Sequence, residues 1–82
     1  MSNWSLPLHS SNIYRCRYFR RQRLLVIQFL SGSVYVYQDV PWSVYMGFRR
    51  ASSYGSYHAR HIRLSYRYME VTDPQLLHLV GI

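Results

Sequence analysis

The sequence has one cysteine, three acidic residues and no long apolar segment, and each of these shortages excludes a class of protein. It also has no lysine. A single cysteine, Cys16, excludes an internal disulfide and suits a reducing compartment such as the cytoplasm. No apolar run approaches the roughly 20 residues that span a bilayer, so we expect no membrane segment. The first residues also lack the basic and apolar stretches of a signal peptide.

The scarcity of carboxylates limits the chemistry open to the chain, because paired-carboxylate catalysis needs two of them close together. His58 and His61 stand three apart on a predicted helix and could share a metal ion, but no cysteine or carboxylate lies at a convincing spacing beside them. A general acid-base role for His61 with Arg63 in RNA cleavage is the remaining catalytic alternative. We therefore predict a protein that is not an enzyme and holds no metal or other cofactor.

Arginine and tyrosine are present in excess. All ten basic residues are arginine, the formal net charge is +7, and tyrosine occurs nine times. The arginine guanidinium pairs bidentately with phosphate or carboxylate and stacks on aromatic rings. This composition is typical of a surface that binds RNA, single-stranded nucleic acid or an acidic protein. A basic surface that only keeps the protein soluble would have the same composition.

The alternation of hydrophobic residues predicts three strands in a chain of 82 residues, which is long enough for one small domain. The strands lie at residues 13–19, 23–30 and 34–40. Short turns separate them, and Gly32 can adopt the positive φ that the second turn needs. The three strands therefore form an antiparallel meander.

Side chains on a strand point alternately to the two faces of a sheet, so each strand can be divided. On the first strand, Ile13 shares a face with Arg15 and Arg17, opposite Cys16. The second strand is apolar on both faces, which indicates that both faces of the sheet are covered.

Helical patterns follow the third strand. Residues 41–51 form the first helix, which starts at a proline suited to a first turn. A second, serine-capped helix ends near Arg63. Residues 66–71 alternate again and residues 75–80 follow a helix-start signal, so an extra short strand or helix is also expected. The predicted class is α+β: a three-stranded antiparallel meander with two short helices packed on one face.

A further group of residues is predicted to hold this fold together. Tyr35 and Tyr37 pack on the helices with their hydroxyls at the rim, although exposed rings at these positions would form a platform on which unpaired bases stack. His61 makes a structural hydrogen bond that holds the second helix. Leu25 and Ile27, or their neighbours on the opposite face of the second strand, are expected in the same core. The predicted structural residues are Tyr35, Tyr37, Val44, Phe48, Gly55, Tyr57, His61 and Ile62.

Several short motifs occur in the order and spacing of a known family. They are Ser11-Asn12-Ile13, Gly32-Ser33-Val34-Tyr35-Val36-Tyr37, Val40-Pro41, Gly55-Ser56-Tyr57, His61-Ile62-Arg63 and Tyr66-x-Tyr68. On these motifs the chain resembles the KTSC domain, which occurs at the C-terminus of some lysyl-tRNA synthetases and as a small stand-alone protein. The resemblance implies three strands followed by two helices. The family's function is not established, and RNA binding has been suggested for it.

The resemblance divides the chain into three parts. Residues 1–10 form an irregular N-terminal arm, residues 11–71 a KTSC-like domain and residues 72–82 an apolar extension. The extension is too apolar for a free end in water. It either folds back over the sheet face that the helices leave open or forms half of a homodimer interface, and we favour the homodimer.

Two functions of different classes remain open. The first, which we favour, is non-catalytic binding of RNA or single-stranded nucleic acid through an arginine- and tyrosine-rich surface. The second is a small protein-protein interaction factor or inhibitor, of the kind that phages and mobile elements encode, which binds an acidic or nucleic-acid-binding protein. The residues predicted to bind either partner are Arg15, Arg17, Arg20, Arg21, Arg23, Arg60, Arg63, Arg67, Tyr66 and Tyr68.

Overall fold

The computed structural model describes residues 4–82, which form an antiparallel sheet with helices on one face and the two ends of the chain on the other. The strands are adjacent in chain order: β1 (Ile13–Phe19), β2 (Leu24–Phe29), β3 (Val34–Tyr37) and β4 (Tyr68–Glu70). The helices are α1 (Trp42–Arg50), α2 (Tyr54–Tyr57), which continues as a π-helical turn (His58–Ile62), and α3 (Pro74–Leu79). The α+β class and the three-stranded meander, with an extra strand and helix after it, are confirmed.

The larger core lies between the sheet and the first two helices. Leu25 and Ile27 of β2 and Tyr37 of β3 are buried there against Phe48 of α1 and Ile62 of the π-helical turn. Burying a large apolar side chain stabilises a fold by roughly 1.5–3 kcal/mol. This cluster therefore holds the helices on the sheet and sets the position of the turn that follows α2.

The opposite face of the sheet is covered by the arm and the extension. Val26 of β2 and Val36 of β3 are buried in a second cluster, against which Leu77, Val80 and Trp4 pack. The extension therefore folds back over this face, the first of the two alternatives stated above. A homodimer stays a prediction.

A β-bulge in β1 changes the face on which Ile13 lies. The pairing of β1 with β2 shifts between Ile13 and Arg15, and an extra residue in a strand reverses the alternation of its side chains. Ile13 is consequently buried in the same core as Cys16. The strict alternation that placed Ile13 on the face of Arg15 and Arg17 is wrong at this position.

Strand β3 is shorter than its pattern of residues predicts. It ends at Tyr37, and Asp39 has a positive φ of 58°, a left-handed conformation that a regular strand does not contain. The chain then turns so that the Val40 N–H donates to the Arg23 carbonyl oxygen at 2.9 Å. This bond ties the start of α1 to the turn between β1 and β2.

The outer edge of β1 is closed by the arm, which contains no helix or strand over residues 4–10. The Ser5 N–H donates to the Cys16 carbonyl oxygen and the Leu8 N–H to that of Tyr14, both at 2.8 Å.

Residues 1–3 of the predicted arm lie outside the described part. Within residues 4–82, none of the helices has both the length and the apolar character required to cross a membrane.

Candidate binding site

A pocket of about 600 Å³ opens between the β2–β3 turn and the helix α2. Leu30, Ser31 and Ser33 line it from the turn, and Gly55 and Ala59 line it from the helix. Sites for small molecules in proteins have volumes of about 300–1,000 Å³. The pocket is therefore large enough to enclose a small organic ligand.

Aromatic rings form the inner wall of the pocket. The rings of Tyr35 and Tyr68 stack with their centroids 5.5 Å apart and their planes 10° from parallel. They meet because β3 and β4 pair antiparallel with Tyr37 opposite Tyr68, which places Tyr35 and Tyr68 diagonally on one face. Tyr68 remains 54% exposed, so the stack presents aromatic surface to a ligand.

A buried polar pair lies beside the stacked rings. The Tyr37 hydroxyl and Nε2 of His58 are joined by a hydrogen bond of 2.7 Å. Burial, with a smaller contribution from neighbouring tyrosines, raises the pKa of Tyr37 to about 12. Burial, and then the charge of Arg63, lowers the pKa of His58 below its ordinary 6.5. Both groups are therefore uncharged near neutral pH.

Arg63 supplies the positive charge of the pocket. It is the one arginine among the described residues that line the pocket, and no carboxylate lies among them. The main-chain N–H of Arg63 donates to the main-chain carbonyl oxygen of His58 at 2.8 Å, and this bond closes the π-helical turn. Such turns occur frequently at functional sites. The pocket is thus suited to a ligand that carries a negative charge.

Arg15 and Arg17 lie on the other face of the sheet, where they contact the two ends of the chain. The Arg15 guanidinium lies 4.1 Å from the centre of a Trp4 ring, and its Nε donates to Oε1 of Gln28 at 2.6 Å. Nη1 of Arg17 donates to the Val80 carbonyl oxygen at 3.0 Å. Both arginines therefore make contacts within the chain, away from the pocket.

Arg20, Arg21 and Arg23 are exposed at the turn between β1 and β2. The pocket residues of the β2–β3 turn lie at the other end of β2, about 20 Å away along six extended residues. Tyr37 and Tyr68, in contrast, pair level with Leu25 at the end of β2 nearest the basic turn. The Arg20 guanidinium lies 4.4 Å from the centre of a Trp42 ring. The turn is a second basic region, separate from the pocket.

The remaining predicted binding residues lie near the pocket or on the helix beside it. Tyr68 lines the pocket with Arg63, whereas Tyr66 packs half-buried against the larger core. Arg60 lines a smaller depression of about 270 Å³ with His61. Arg67 is exposed directly before β4.

The predicted structural residues divide by burial. Phe48, Ile62 and Tyr37 are fully buried, and the half-buried members are Tyr35, Val44, Gly55 and Tyr57. His61 is exposed with its ring 4.5 Å from that of Tyr57. The buried histidine that makes a hydrogen bond is instead His58.

Sequence reasoning missed His58 and Asn12 as pocket residues. The signal for His58 is its position four residues before the buried Ile62, which places both on one helix face. Asn12 gives no local signal, because it reaches the pocket only when the start of β1 lies beside α2.

Among residues 4–82, no three histidine, cysteine or acidic side chains are grouped to hold a metal ion.

The fold and pocket define a small α+β domain, and comparisons with known proteins give its family. The KTSC domain model matches residues 9–68, and the chain belongs to this family. A crystal structure of a KTSC domain protein from Yersinia pestis is similar, with a TM-score of 0.78 and 29% identity, over 80% of this chain and 93% of that one. A comparison with curated proteins finds no match. The resemblance seen in the sequence is confirmed, and α3 lies outside the matched residues.

Proposed function

We propose that this protein is a non-catalytic binding protein for RNA or single-stranded nucleic acid. The observation that carries the proposal is the partly exposed stack of Tyr35 and Tyr68 beside Arg63 in one pocket. Unpaired bases stack on aromatic side chains for about 1–3 kcal/mol each, and arginine pairs with phosphate by charge-assisted hydrogen bonds. The pocket combines both kinds of contact.

The distribution of charge supports the same proposal. The net charge of +7 attracts polyanions, and the basic β1–β2 turn lies at the end of β2 that is level with Tyr37 and Tyr68 of the pocket. A single strand several nucleotides long can therefore contact both regions. Each phosphate contact makes the affinity more dependent on salt.

The state of the pocket histidine supports binding rather than catalysis. His58, the one histidine among the described lining residues, is buried and bonded to Tyr37. The Tyr37 hydroxyl engages Nε2 of His58, so this nitrogen is not free to take a proton from a ligand. Cys16 is buried and unpaired, which fits action in a reducing compartment such as the cytoplasm.

The proposal is tested by the anisotropy of a labelled single-stranded RNA, titrated at about 50 and 200 mM salt. We expect Arg63→Gln to weaken binding about tenfold to a hundredfold, the range that corresponds to one charge-assisted hydrogen bond of ~1.5–3 kcal/mol. The matched control is Arg50→Gln, because Arg50 is also exposed but does not line the pocket. Its effect should be much smaller.

A second variant tests the basic turn. Replacing Arg20, Arg21 and Arg23 together by serine should flatten the dependence of affinity on salt, while changing stability by no more than about 0.5 kcal/mol per site. Absence of any RNA or DNA binding by the parent at low salt would refute the proposal.

The open edge of β4 favours a second candidate, the protein-protein interaction factor. The Gln38 N–H donates to the Arg67 carbonyl oxygen and the Val71 N–H to that of Val34, both at 2.8 Å. The main-chain groups of Tyr68 between them therefore face away from β3. An open edge can accept a strand from a partner, and the basic surface favours an acidic one. A defined partner retained after nuclease treatment of a pull-down would favour this candidate over RNA.

A further inference from the structure

The helix side of the pocket is built from small residues. Gly55 and Ala59 line the pocket together with the stacked Tyr35 and Tyr68. A Cβ atom on Gly55 would lie 3.0 Å from Oδ1 of Asn12, so a larger residue would displace that side chain. Glycine at this position therefore leaves room for Asn12 beside the helix, and Asn12 lines the pocket together with the tyrosine stack.

The charges of the pocket limit its ligand. Arg63 is exposed and basic, whereas Tyr37 and His58 are buried and joined to each other by a hydrogen bond, and burial lowers the pKa of His58. A cation at the opening and an uncharged inner wall fit a ligand with an anionic group on one side and a neutral aromatic group on the other. Charge-assisted pairing with arginine is strongest for carboxylate and phosphate.

Polar groups at the opening can contact the edge of a planar ligand. The Ser10 hydroxyl donates to Oδ1 of Asn12 at 3.1 Å, which leaves the two Nδ2 hydrogens of Asn12 to donate. Ser31 and Ser33 add hydroxyls from the β2–β3 turn. Amide and hydroxyl groups of this kind form hydrogen bonds with the edges of unpaired bases.

From these features we infer that the pocket binds one nucleotide unit, with the base against Tyr35 and Tyr68 and the phosphate on Arg63. This inference rests on the proposed function and specifies the ligand of the same site. The unit is either a free nucleoside monophosphate or one nucleotide within a single strand. Stacking requires an unpaired base, so a duplex does not satisfy the site.

The test titrates the full chain with adenosine and uridine 5′-monophosphates, with the two nucleosides and with inorganic phosphate, followed by amide shifts in NMR spectra. We expect the monophosphates to shift amides around the pocket and the nucleosides to bind about tenfold more weakly, since they lack the contact with Arg63. Arg63→Gln should reduce the affinity for the monophosphates to that for the nucleosides. Single-stranded RNA should compete with the monophosphates for the same amides.

A pair of variants on one helix separates the pocket from the rest of the surface. Ala59→Leu fills the pocket from an exposed helical position without changing the charge, and we expect it to abolish monophosphate binding. Ser56→Leu is the control, because Ser56 is exposed on the same helix but does not line this pocket. Equal melting temperatures of the two variants show that the fold is intact.

The outcomes distinguish this inference from the proposed function. Binding of RNA without binding of monophosphates, or unchanged monophosphate binding by Ala59→Leu, overturns the single-nucleotide pocket and leaves the nucleic-acid function standing. Shifts with inorganic phosphate equal to those with the monophosphates reduce the site to an anion site and also overturn the inference. Failure of every nucleic acid to bind refutes the proposed function itself.

Discussion

At the scale of single residues, the hydrogen bond between Tyr37 and His58 connects the sheet to the π-helical turn. A satisfied hydrogen bond contributes about 0.5–1.5 kcal/mol, but leaving one buried partner unsatisfied costs about 1–3 kcal/mol. Each residue therefore depends on the presence of the other. The pair holds the turn in the position that brings Arg63 to the pocket.

The lowered pKa of His58 makes stability depend on pH below neutrality. In the unfolded chain the imidazole titrates near 6.5, whereas in the folded protein its pKa is lower. Between the two pKa values the unfolded state binds the proton and the folded state does not. The contribution of His58 to the stability of the fold is therefore complete above about pH 6.5 and is lost as the pH falls through the lowered pKa. We expect the melting temperature, followed by circular dichroism, to decrease between about pH 7.5 and 5.

The control for this effect is His58→Asn, which places a polar side chain that does not titrate at the same position. The variant should be less stable than the parent at neutral pH but should lose less stability on acidification. Parallel decreases in parent and variant would show that another group is responsible.

At the scale of elements, the first helix depends on one side chain. Phe48 is the buried residue of α1, whereas the other residues of this helix are half-buried or exposed. Phe48→Ala should therefore lower the free energy of unfolding by about 3–5 kcal/mol. Arg50→Ala, an exposed change on the same helix, should lie within about 0.5 kcal/mol of the parent. Urea denaturation measures both, and equal stability of Phe48→Ala and the parent would contradict the assignment of this core.

Periodicity predicts those elements whose pattern is regular and fails where an extra residue enters. The alternation over residues 13–19 gives the bounds of β1 correctly, but it cannot show the bulge that moves Ile13 to the other face. The second helix is predicted from its cap and spacing. Its change to a π-helical turn after Tyr57, in which His58 and Ile62 are buried, has no signal in the local pattern.

The pocket could be predicted only in part, because its walls come from distant parts of the chain. The tyrosines of β3 and β4 are evident as strand residues, but their stacking requires the strand pairing. Net charge likewise does not show which arginines are engaged within the chain. Arg15 and Arg17 alternate as exposed residues would, yet the folded ends of the chain bring Trp4 and Val80 onto them.

At the scale of the whole molecule, the sheet is buried on both faces by different means. The helix-facing core is formed by residues within the family match, whereas the opposite cluster depends on residues beyond it, Leu77 and Val80. The extension thus completes the fold by covering the valines of β2 and β3. Leu79, 72% exposed, leaves apolar surface on the outside of α3.

Truncation after Val71 tests this function of the extension. Removing the partly buried Leu77 and Val80 should lower stability by about 2–4 kcal/mol, since burial of such side chains is worth roughly 1.5–3 kcal/mol each, and should lower the melting temperature. Leu79→Ser, a change at an exposed position, is the control and should have little effect.

Light scattering on the parent and the truncated chain shows whether the extension also mediates a homodimer. A truncated monomer that melts with the parent would contradict both functions of the extension.

The contact between the two ends also has a consequence for the order in which the protein opens. Nε1 of Trp4 donates to the Gly81 carbonyl oxygen at 3.3 Å, across a sequence separation of 77 residues. The chain between these two residues is already folded in the sheet and helices, so this contact orders only the arm and the extension. We expect the arm and the extension to detach together, in a local opening that precedes the unfolding of the sheet. Such partial opening exposes Val26 and Val36 while the helix-facing core and the pocket stay folded.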